Sequence, residues 1–365
     1  MKNENGTVRS LRLSIVLISC AVCGFASDPP LLQPVATLAL SEMPSSGHGE
    51  SAWAAVAFSS ETSIAVGLCR QDSSKECSLV LVQWEGETLR LLARTPRFDS
   101  GLSIHPASEG QILAGNPWLP AVLYSADLST TRDLPRLWHV SWSGKTVAET
   151  ARGSWKLYRL TDRLEPLGGG TGDLRSISDE AVLIQDGKAI KVETLDGRRL
   201  GAFSVSDEVQ GFHAALLGNN KLYLPDCRTT VRVVDFEGKT KLKIHQHGLC
   251  AQGDTASSSD GRRLLFDVND HKTFGFRHVL ENMQTITSLG MIGPEDFNRE
   301  EVRVLDTVTG RACFDWYRNF PTTYSQVRSA AISPSGELVA IVAEDKLSIY
   351  RLPAVCEDTT VTPRK

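Results

Sequence analysis

The chain has 365 residues, of which 41% are hydrophobic and 22% are charged, and its formal net charge is −4. This composition is typical of a folded globular protein and excludes a fully disordered one. The small acidic excess argues against a nucleic-acid-binding protein, because such proteins usually carry a basic surplus.

Residues 1–26 have the pattern of a secretory signal. Three basic residues stand at its start: Lys2, Arg9 and Arg12. The apolar stretch 13–26 that follows is short for a membrane span, and small residues precede Ser27. The pattern predicts cleavage before Ser27 and a secreted or periplasmic protein.

Two other readings of this segment stay open. It could remain uncleaved as a membrane anchor. Alternatively, "LISC" at 17–20 resembles a bacterial lipobox, in which Cys20 would be acylated and would tie the protein to a membrane. For the processed protein, a membrane is an expected partner only if Cys20 is lipidated.

Beyond the signal, short runs that alternate apolar and polar residues recur between Gly, Asp, Asn and Ser, which is the signature of β-strands. The turn "AISPSG" at 331–336 returns as "ASSSDG" at 256–261, as "HVSWSG" at 139–144 and as "AFSSET" at 57–62. With weaker copies between them, these turns recur about every 40 residues, apart from one gap of about 75, and this period fits a four-stranded propeller blade.

Seven such units can be traced through residues 33–356. The last unit lacks a fourth strand after "YRLP", while the strand at 33–41 has no unit of its own. The sequence therefore predicts an all-β, seven-bladed β-propeller with four-stranded antiparallel blades, closed by the N-terminal strand in the last blade. Residues 357–365 are predicted to form a disordered tail.

The closing segment "VRSAAISPSGELVAIVAEDKLSIYRLP" and the segment "VRVLDTVTGRACFDW" resemble blades of the WD-repeat and YVTN-type propeller families. The Trp-Asp dipeptide and the Gly-His pair of WD repeats are missing, although Asp306 occupies the usual Asp position. The resemblance implies the propeller fold and does not indicate a particular function.

Six cysteines remain after the signal, an even number that suggests disulfides in an exported protein. Six cysteines can be joined into three bridges in 15 ways. In blades of this type, one geometrically allowed set is Cys69–Cys77, Cys227–Cys250 and Cys313–Cys356. The alternative is that some of the six are reduced thiols in the core.

The long gap in the repeat comes from one insertion, 270–300, between strands B and C of blade six. Insertions on a regular scaffold often carry function. Its candidate binding residues are His271, Phe274, Phe276, Arg277 and His278. The alternative is a loop that only packs over a blade edge.

Catalytic and nucleotide-binding motifs are missing from the sequence. The Gly-rich stretch 168–172 is expected to be a flexible loop between blades, and His245 and His247 are expected on an outer surface. Three histidines fall on or near inner strands and could converge on a metal or haem: His105, His139 and His213. The irregular spacing of the tryptophans argues against a quinone cofactor.

The sequence predicts a non-catalytic platform that binds a protein or other ligand, without catalytic residues, metal or cofactor. The partner is expected to be an unidentified protein rather than nucleic acid, and the chain is expected to be monomeric. The alternative is a propeller enzyme, either a metal-dependent, lactonase-like hydrolase or a quinoprotein-like redox protein.

Overall fold

The computed structural model divides the chain into two units, Met1–Leu31 and Leu32–Lys365. The first unit lies outside the residues that the structure describes. Within the second, the described ranges are 32–40, 51–70, 77–95, 103–115, 120–137, 139–161, 163–205, 214–218, 220–226, 230–245, 255–271, 298–319, 329–343 and 346–356. No helix in these ranges is long and apolar enough to cross a membrane.

The described residues form seven four-stranded antiparallel sheets. The first strand, β1 (Ala36–Ala39), belongs to the last sheet. Blade one contains β2 (Ser51–Phe58), β3 (Ser63–Arg70), β4 (Cys77–Trp84) and β5 (Leu89–Arg94). Blade two contains β6 (Ser103–Pro106), β7 (Ile112–Gly115), β8 (Ala121–Tyr124) and β9 (Thr131–Leu134). Blade three contains β10 (His139–Val140), β11 (Thr146–Ala151), β12 (Ser154–Leu160) and β13 (Leu164–Thr171).

The remaining blades follow the same order. Blade four contains β14 (Asp173–Ile177), β15 (Ala181–Asp186), β16 (Ala189–Thr194) and β17 (Arg199–Ser204). Blade five contains β18 (Ala215–Leu217), β19 (Lys221–Asp226), β20 (Thr230–Asp235) and β21 (Thr240–His245). Blade six contains β22 (Thr255–Ser257), β23 (Arg263–His271), β24 (Asn298–Asp306) and β25 (Ala312–Asn319). Blade seven contains β26 (Ser329–Ile332), β27 (Leu338–Ala343), β28 (Lys346–Arg351) and β1.

The strands of each blade run from an inner strand A to an outer strand D, and the A strands of neighbouring blades contact one another around the axis. Because the strands are antiparallel, the A–B and C–D turns lie at one face, here named the A–B face. The B–C and D–A connections lie at the other, here named the B–C face. The predicted seven-bladed architecture is confirmed.

The core lies between blades, because alternate residues of each strand point to the two faces of its sheet. Tyr223 of blade five and Phe266 of blade six, for example, are fully buried in one cluster, with ring centroids 6.2 Å apart. Each blade therefore depends on its neighbours for its apolar contacts, so that the ring must be closed to be stable.

The ring closes as predicted. Strand β1 is antiparallel to β28, with Ala36 opposite Ile349 and Ala39 opposite Lys346. The backbone N–H of Val35 also donates to the carbonyl of Ile349 at 2.7 Å. Ala36 and Leu40 are buried in the cluster shared by blades seven and one. The N-terminal strand therefore joins the two ends of the chain in one sheet.

The Gly-rich stretch 168–172 is not the flexible loop expected from the sequence. Residues 168–171 belong to strand β13 and pair with β12, where Gly170 lies opposite Trp155. A Cβ on Gly170 would overlap the buried indole of Trp155. Glycine is required here by packing against a large side chain, which composition alone does not reveal.

The A–B turns hold neighbouring blades together. In blade three, the hydroxyls of Ser141 and Ser143 donate to the Asp179 carboxylate of blade four at 2.7 and 2.6 Å. In blade seven, the hydroxyl of Ser335 donates to Glu61 of blade one at 2.7 Å. The recurring Ser-x-Ser-Gly turn thus positions hydroxyls toward a carboxylate of the next blade.

Gly144 should tolerate substitution much less well than Gly153. Both have positive φ, 71° and 75°, so a Cβ adds similar backbone strain of about 1–2 kcal/mol at each. A Cβ at Gly144 would also overlap the carbonyl of Pro106 in blade two, whereas Gly153 faces open space. We expect Gly144→Ala to lower the free energy of unfolding by about 2–4 kcal/mol, and Gly153→Ala by about 1 kcal/mol. Urea denaturation of both variants measures the difference, and equal losses would contradict the contact between blades two and three.

Candidate functional site

Seven inner strands line the axial channel, and their residue types are unevenly distributed around it. The inner strands of four blades contain only small or apolar residues: "SAWAAVAF" in blade one, "ALL" in blade five, "TAS" in blade six and "SAAI" in blade seven. The inner strand of blade two, "SIHP", differs from these by its histidine. The titratable side chains in these strands are His105, His139, Asp173 and Arg175. All four come from blades two, three and four, so one side of the channel carries the ionisable groups.

The two histidines occupy equivalent places in their blades. In six blades the residue that begins the A–B turn donates its backbone N–H to a carbonyl at or just before the start of strand B, and these residues are Ser59, Ala107, Ser141, Ser178, Ser258 and Ser333. The residues two positions earlier are Ala57, His105, His139, Ser176, Ala256 and Ala331. We name this set the channel layer. Where the residue is Ala, it packs in the cluster shared with the following blade.

Side chains of one inner strand satisfy the free backbone edge of the next. The backbone N–H of Leu216 in blade five donates to the Ser176 hydroxyl of blade four at 3.1 Å. Val56 donates its backbone N–H to the Ser329 hydroxyl at 3.0 Å. His139 makes the opposite kind of contact, because its ring donates to the backbone carbonyl of Leu174, and this bond favours the protonated ring. These contacts are needed because an inner strand has no neighbouring strand on its axial side.

Burial of the two rings controls their protonation. Burial lowers the pKa of His105 from 6.5 to about 4. The pKa of His139 is also lowered to about 4, mainly by burial and to a smaller extent by Arg175 and His105, while the hydrogen bond to the Leu174 backbone acts in the opposite direction. The Ser103 hydroxyl lies 2.9 Å from Nε2 of His105. Both imidazoles are therefore neutral at physiological pH, one nitrogen of each being held by a polar group.

Arg175 lies on the inner strand of blade four, where a bulge in β14 shifts its register against β15. Its Nε donates to Gln185 at 3.0 Å, and one terminal nitrogen donates to Asp173 at 3.3 Å. The Arg175 side chain is 16% exposed and that of Asp173 is 66% exposed. The guanidinium is thus oriented by one amide and one largely solvated carboxylate.

Trp142 narrows the channel at the A–B face. Its indole N–H donates to the carbonyl of Leu216 at 2.7 Å, so the side chain extends from blade three past blade four to blade five. It also packs against the cluster between blades five and six. Trp142 therefore joins blade three to blades five and six at the A–B face.

Blade six has the longest paired strands among the described residues, with nine residues in each of β23 and β24 against at most eight in the other blades. Strands β23 and β24 pair along nine residues each, up to His271 opposite Asn298. The described inner strand β22 pairs only with residues 264–266, and β25 follows β24 as far as Arg299. Five residues at the end of β23 extend past this inner pairing, about 16 Å of strand. We name this extension of β23, β24 and β25 the blade-six ribbon.

The ribbon refines the predicted insertion. Residues 270–271 and 298–300 belong to paired strands, so the connection between them is 272–297. His271 ends strand β23, whereas Phe274, Phe276, Arg277 and His278 lie outside the described residues. His213 of the possible inner triad and His247 lie outside them as well. Across the described ranges, no three His, Cys, Asp or Glu residues are grouped to hold a metal ion.

One cystine is described. Cys313 at the start of β25 and Cys356 after β28 form a disulfide between blades six and seven, with an S–S distance of 2.15 Å. Arg263 lies against both sulfurs and donates to the carbonyls of Pro353 and Ala354 at 3.1 Å each. This contact holds the segment after β28 on blade six.

The other two proposed pairings have different outcomes. Cys69 of β3 lies directly opposite Cys77 of β4 in the backbone register, and their side chains are not among those described. Cys227 and Cys250 lie outside the described residues. The structure therefore places one pair across a ladder and leaves the other as a prediction.

Sequence reasoning missed Arg175 and Trp142, and it treated His105 and His139 only as part of a metal triad. A signal existed in the recurring turns. Two positions before the turn the copies read Ala in "AAISPSG", "TASSSDG" and "VAFSSET" but His in "LWHVSWSG". Comparing that one position across blades would have singled out the channel layer.

Comparison with known proteins gives a fold and no closer relative. No family model matches the chain, and no curated protein matches it. A crystal structure of the C-terminal WD40 domain of Sif2 is similar, with 12% identity and a TM-score of 0.50. The match covers 88% of this chain and 99% of that one. Together with the seven four-stranded sheets, this likeness shows that the chain has the fold of a seven-bladed, WD40-like β-propeller.

Proposed function

We propose that the protein is a non-catalytic binding platform that holds a protein partner on its B–C face. The observation that carries this proposal is the blade-six ribbon, in which β23, β24 and β25 pair toward the B–C face and support the connection 272–297. A strand extension of this length contributes nothing to closing the ring, but it presents the connection 272–297 on a rigid support. Rigid scaffolds with projecting connections hold partners without reactive side chains.

Export is part of the proposal. The signal pattern of 1–26 and the even number of cysteines after it support a secreted or periplasmic protein. The cystine between Cys313 and Cys356 is consistent with an oxidising compartment. Acylation at Cys20 remains the route by which the same protein would be held at a membrane.

A defined deletion tests the platform. His271 and Asn298 lie opposite each other, so residues 272–297 can be replaced by Asn-Gly, which closes a two-residue hairpin. We expect this variant to keep the free energy of unfolding of the parent within about 1 kcal/mol, because the ring is untouched. It should lose at least tenfold in affinity for the partner that the intact protein captures by crosslinking.

A matched variant controls for nonspecific loss. Val308 lies in the C–D turn of blade six on the opposite face and is 67% exposed. Val308→Ser should retain the partner. If the deletion variant captures the same partner with unchanged affinity, or if both variants lose it equally, the B–C face is not the docking surface. A stoichiometric metal ion in the purified protein would instead favour the hydrolase alternative.

A further inference from the structure

The cystine between Cys313 and Cys356 lies at a bulge that recurs around the ring. In blades one, three, four, five and six, the register between strands C and D shifts by one residue near the start of strand D. The residues that the ladder skips are Leu92, Leu167, Leu200, Lys241 and Cys313. In blades one and four the skipped residue is exposed, whereas Cys313 is buried. The segment 352–356 accounts for this difference, because Cys356 is bonded to Cys313.

Few bonds hold the end of this segment over the bulge. Leu352 is still tied to blade seven, because its backbone N–H donates to the carbonyl of Glu337 at 2.8 Å. Among the described residues, the disulfide and the two hydrogen bonds from Arg263 to backbone carbonyls then hold 353–356 on blade six. Val355 is 74% exposed. A reagent can therefore reach the buried sulfurs when these four residues lift, without unpairing any strand.

Arg263 is fixed beneath this segment at its backbone and along its side chain. Its backbone N–H donates to the hydroxyl of Ser258 at 2.9 Å, and its carbonyl accepts from the backbone N–H of Ser258 at 3.0 Å. Its stem packs under the A–B turn of blade seven, where a Cβ on Gly336 would overlap it. One terminal nitrogen contacts both sulfurs, and the other makes the two hydrogen bonds to the segment. The surrounding structure thus directs the guanidinium at the cystine.

The charge of Arg263 is only partly compensated in the oxidised protein. Its side chain is 9% exposed, and a carboxylate oxygen of Asp306 lies 3.8 Å from the nitrogen that faces the sulfurs. That carboxylate already accepts from Arg262 at 3.1 Å and from the backbone N–H groups of Val308 and Thr309 at 2.9 Å each. Burial lowers the pKa of Arg263, and the charge of Asp306 offsets this only in part. The guanidinium therefore directs one nitrogen at two uncharged sulfurs, which are weak acceptors.

Reduction of the cystine supplies a stronger acceptor at the same place. A thiolate formed beside the guanidinium accepts a charge-assisted hydrogen bond, and a neighbouring cation favours the thiolate over the thiol. This interaction exists only in the reduced protein, so it shifts the equilibrium toward the two free cysteines. A cystine that served only to join blade six to blade seven would not need a buried cation against its sulfurs.

We propose that Cys313 and Cys356 form a site of reversible thiol–disulfide exchange with an external dithiol, in which Arg263 stabilises the thiolate that reduction releases. The site lies at the A–B face, because Cys313 follows the C–D turn of blade six. It is therefore separate from the B–C face, and the proposal does not depend on the identity of a protein partner.

The exchange is a two-electron transfer in which every bond and proton is accounted for. One thiolate of the dithiol attacks the sulfur of Cys356 on the lifted segment, so that the cystine bond breaks and Cys313 leaves as a thiolate beside Arg263. The second thiolate of the dithiol then attacks the dithiol sulfur bound to Cys356, which closes a disulfide within the reagent and releases Cys356. The dithiol loses two electrons and the cystine gains them. Of the two protons that the dithiol gives up, one is taken by Cys356 and the other passes to solvent while Cys313 stays ionised.

The redox equilibrium of the full folded chain tests this site. The protein is equilibrated with mixtures of reduced and oxidised dithiothreitol, quenched with acid and alkylated, and the peptides that contain Cys313 and Cys356 are quantified by mass spectrometry. We expect Arg263→Gln to lower the equilibrium constant for reduction by about tenfold or more, which corresponds to about 30 mV. Arg263→Lys keeps a cation and should recover part of this loss.

The neighbouring arginine provides a matched control. Arg262 is 54% exposed and donates to Asp306 rather than to sulfur. The amide introduced by Arg262→Gln can still donate to Asp306, so the equilibrium constant should stay within about twofold of the parent value.

The pH dependence of thiol reactivity separates stabilisation of a thiolate from a purely structural role. In the reduced, folded parent, alkylation of the faster cysteine by iodoacetamide should reach half its maximal rate about one pH unit or more below the value of a free cysteine, which is about 8.5. In Arg263→Gln this midpoint should return toward that value. An arginine that only held 353–356 in place would change the maximal rate and leave the midpoint unchanged.

Either of two results would overturn the proposal. One is an equal equilibrium constant for reduction in the parent and in folded Arg263→Gln. The other is an alkylation midpoint of the reduced parent at about pH 8.5 or above. The second measurement needs no variant, so it decides the question even if Arg263→Gln does not fold.

Discussion

A chain that starts at residue 41 instead of residue 32 is expected to lose on the order of 5 kcal/mol of its free energy of unfolding. This truncation removes β1, whose four residues pair with β28, together with the additional hydrogen bond from Val35. Each such bond contributes about 1 kcal/mol, and the buried side chains of Ala36 and Leu40 add about 1–3 kcal/mol. Because blades seven and one share one core cluster, the loss of β1 also exposes apolar surface on both.

Single substitutions on β1 and beside it test whether the buried side chains of this segment are needed to close the ring. Leu40 is 2% exposed, so Leu40→Asp buries a charge and should cost about 3 kcal/mol or more. Thr37 on the same strand is exposed, so Thr37→Asp should cost less than about 1 kcal/mol. Urea denaturation followed by circular dichroism measures all four proteins, namely the chains that start at 32 and at 41 and the two substituted chains. Equal denaturation midpoints for the chains that start at 32 and at 41 would show that the ring does not need β1.

The architecture could be predicted because it rests on local patterns that repeat. Alternating residues, turn glycines and the period of the A–B turns all report the same blade seven times, and the unpaired strand at 33–41 indicated closure. Strand β13 shows where this fails. Its three glycines resemble a loop until Trp155 of the adjacent strand is placed over Gly170. That contact depends on three-dimensional packing, which residue composition does not contain.

The candidate site could be predicted only in part, because it arises where separate blades converge. His105 and His139 were recognisable as inner-strand residues, but their third partner is Arg175 at a bulge, and a one-residue shift in register changes which side chain faces the axis. Trp142 was equally hidden, since its hydrogen-bond partner Leu216 is 74 residues away in the sequence. Contacts across the channel join blades that the sequence pattern treats as independent copies.

The same two histidines are expected to make the protein less stable in mild acid. Their pKa is 6.5 when unfolded and about 4 when folded, so between these values the unfolded chain binds more protons than the folded one. Stability is therefore unaffected above about pH 7, and it falls as the pH drops below 6.5. For each ring the shift corresponds to a loss of about 2 kcal/mol at pH 5, approaching about 3 kcal/mol below pH 4. Because the channel admits some solvent to both rings, these values are upper bounds.

Acidic residues do not obscure this range of pH. Hydrogen bonds from Ser125 and Ser129 lower the pKa of Asp127 to about 2, so its stabilising contribution is lost only as the pH falls below about 3.8. The free energy of unfolding, measured by urea denaturation at pH 7.5 and at pH 5.0, therefore changes mainly through the histidines. Subtracting the loss of the double variant His105→Gln/His139→Gln from the loss of the parent removes the contribution of the histidines that both proteins share.

The parent should lose up to about 4 kcal/mol more than the double variant between pH 7.5 and pH 5.0, at about 2 kcal/mol for each ring. His245→Gln on the outer strand β21 is the control and should lose as much as the parent. Equal losses in the parent and the double variant would mean that the rings are protonated as easily in the folded channel as in water. Neither the burial of the channel layer nor the coupling of His139 to Arg175 would survive that result.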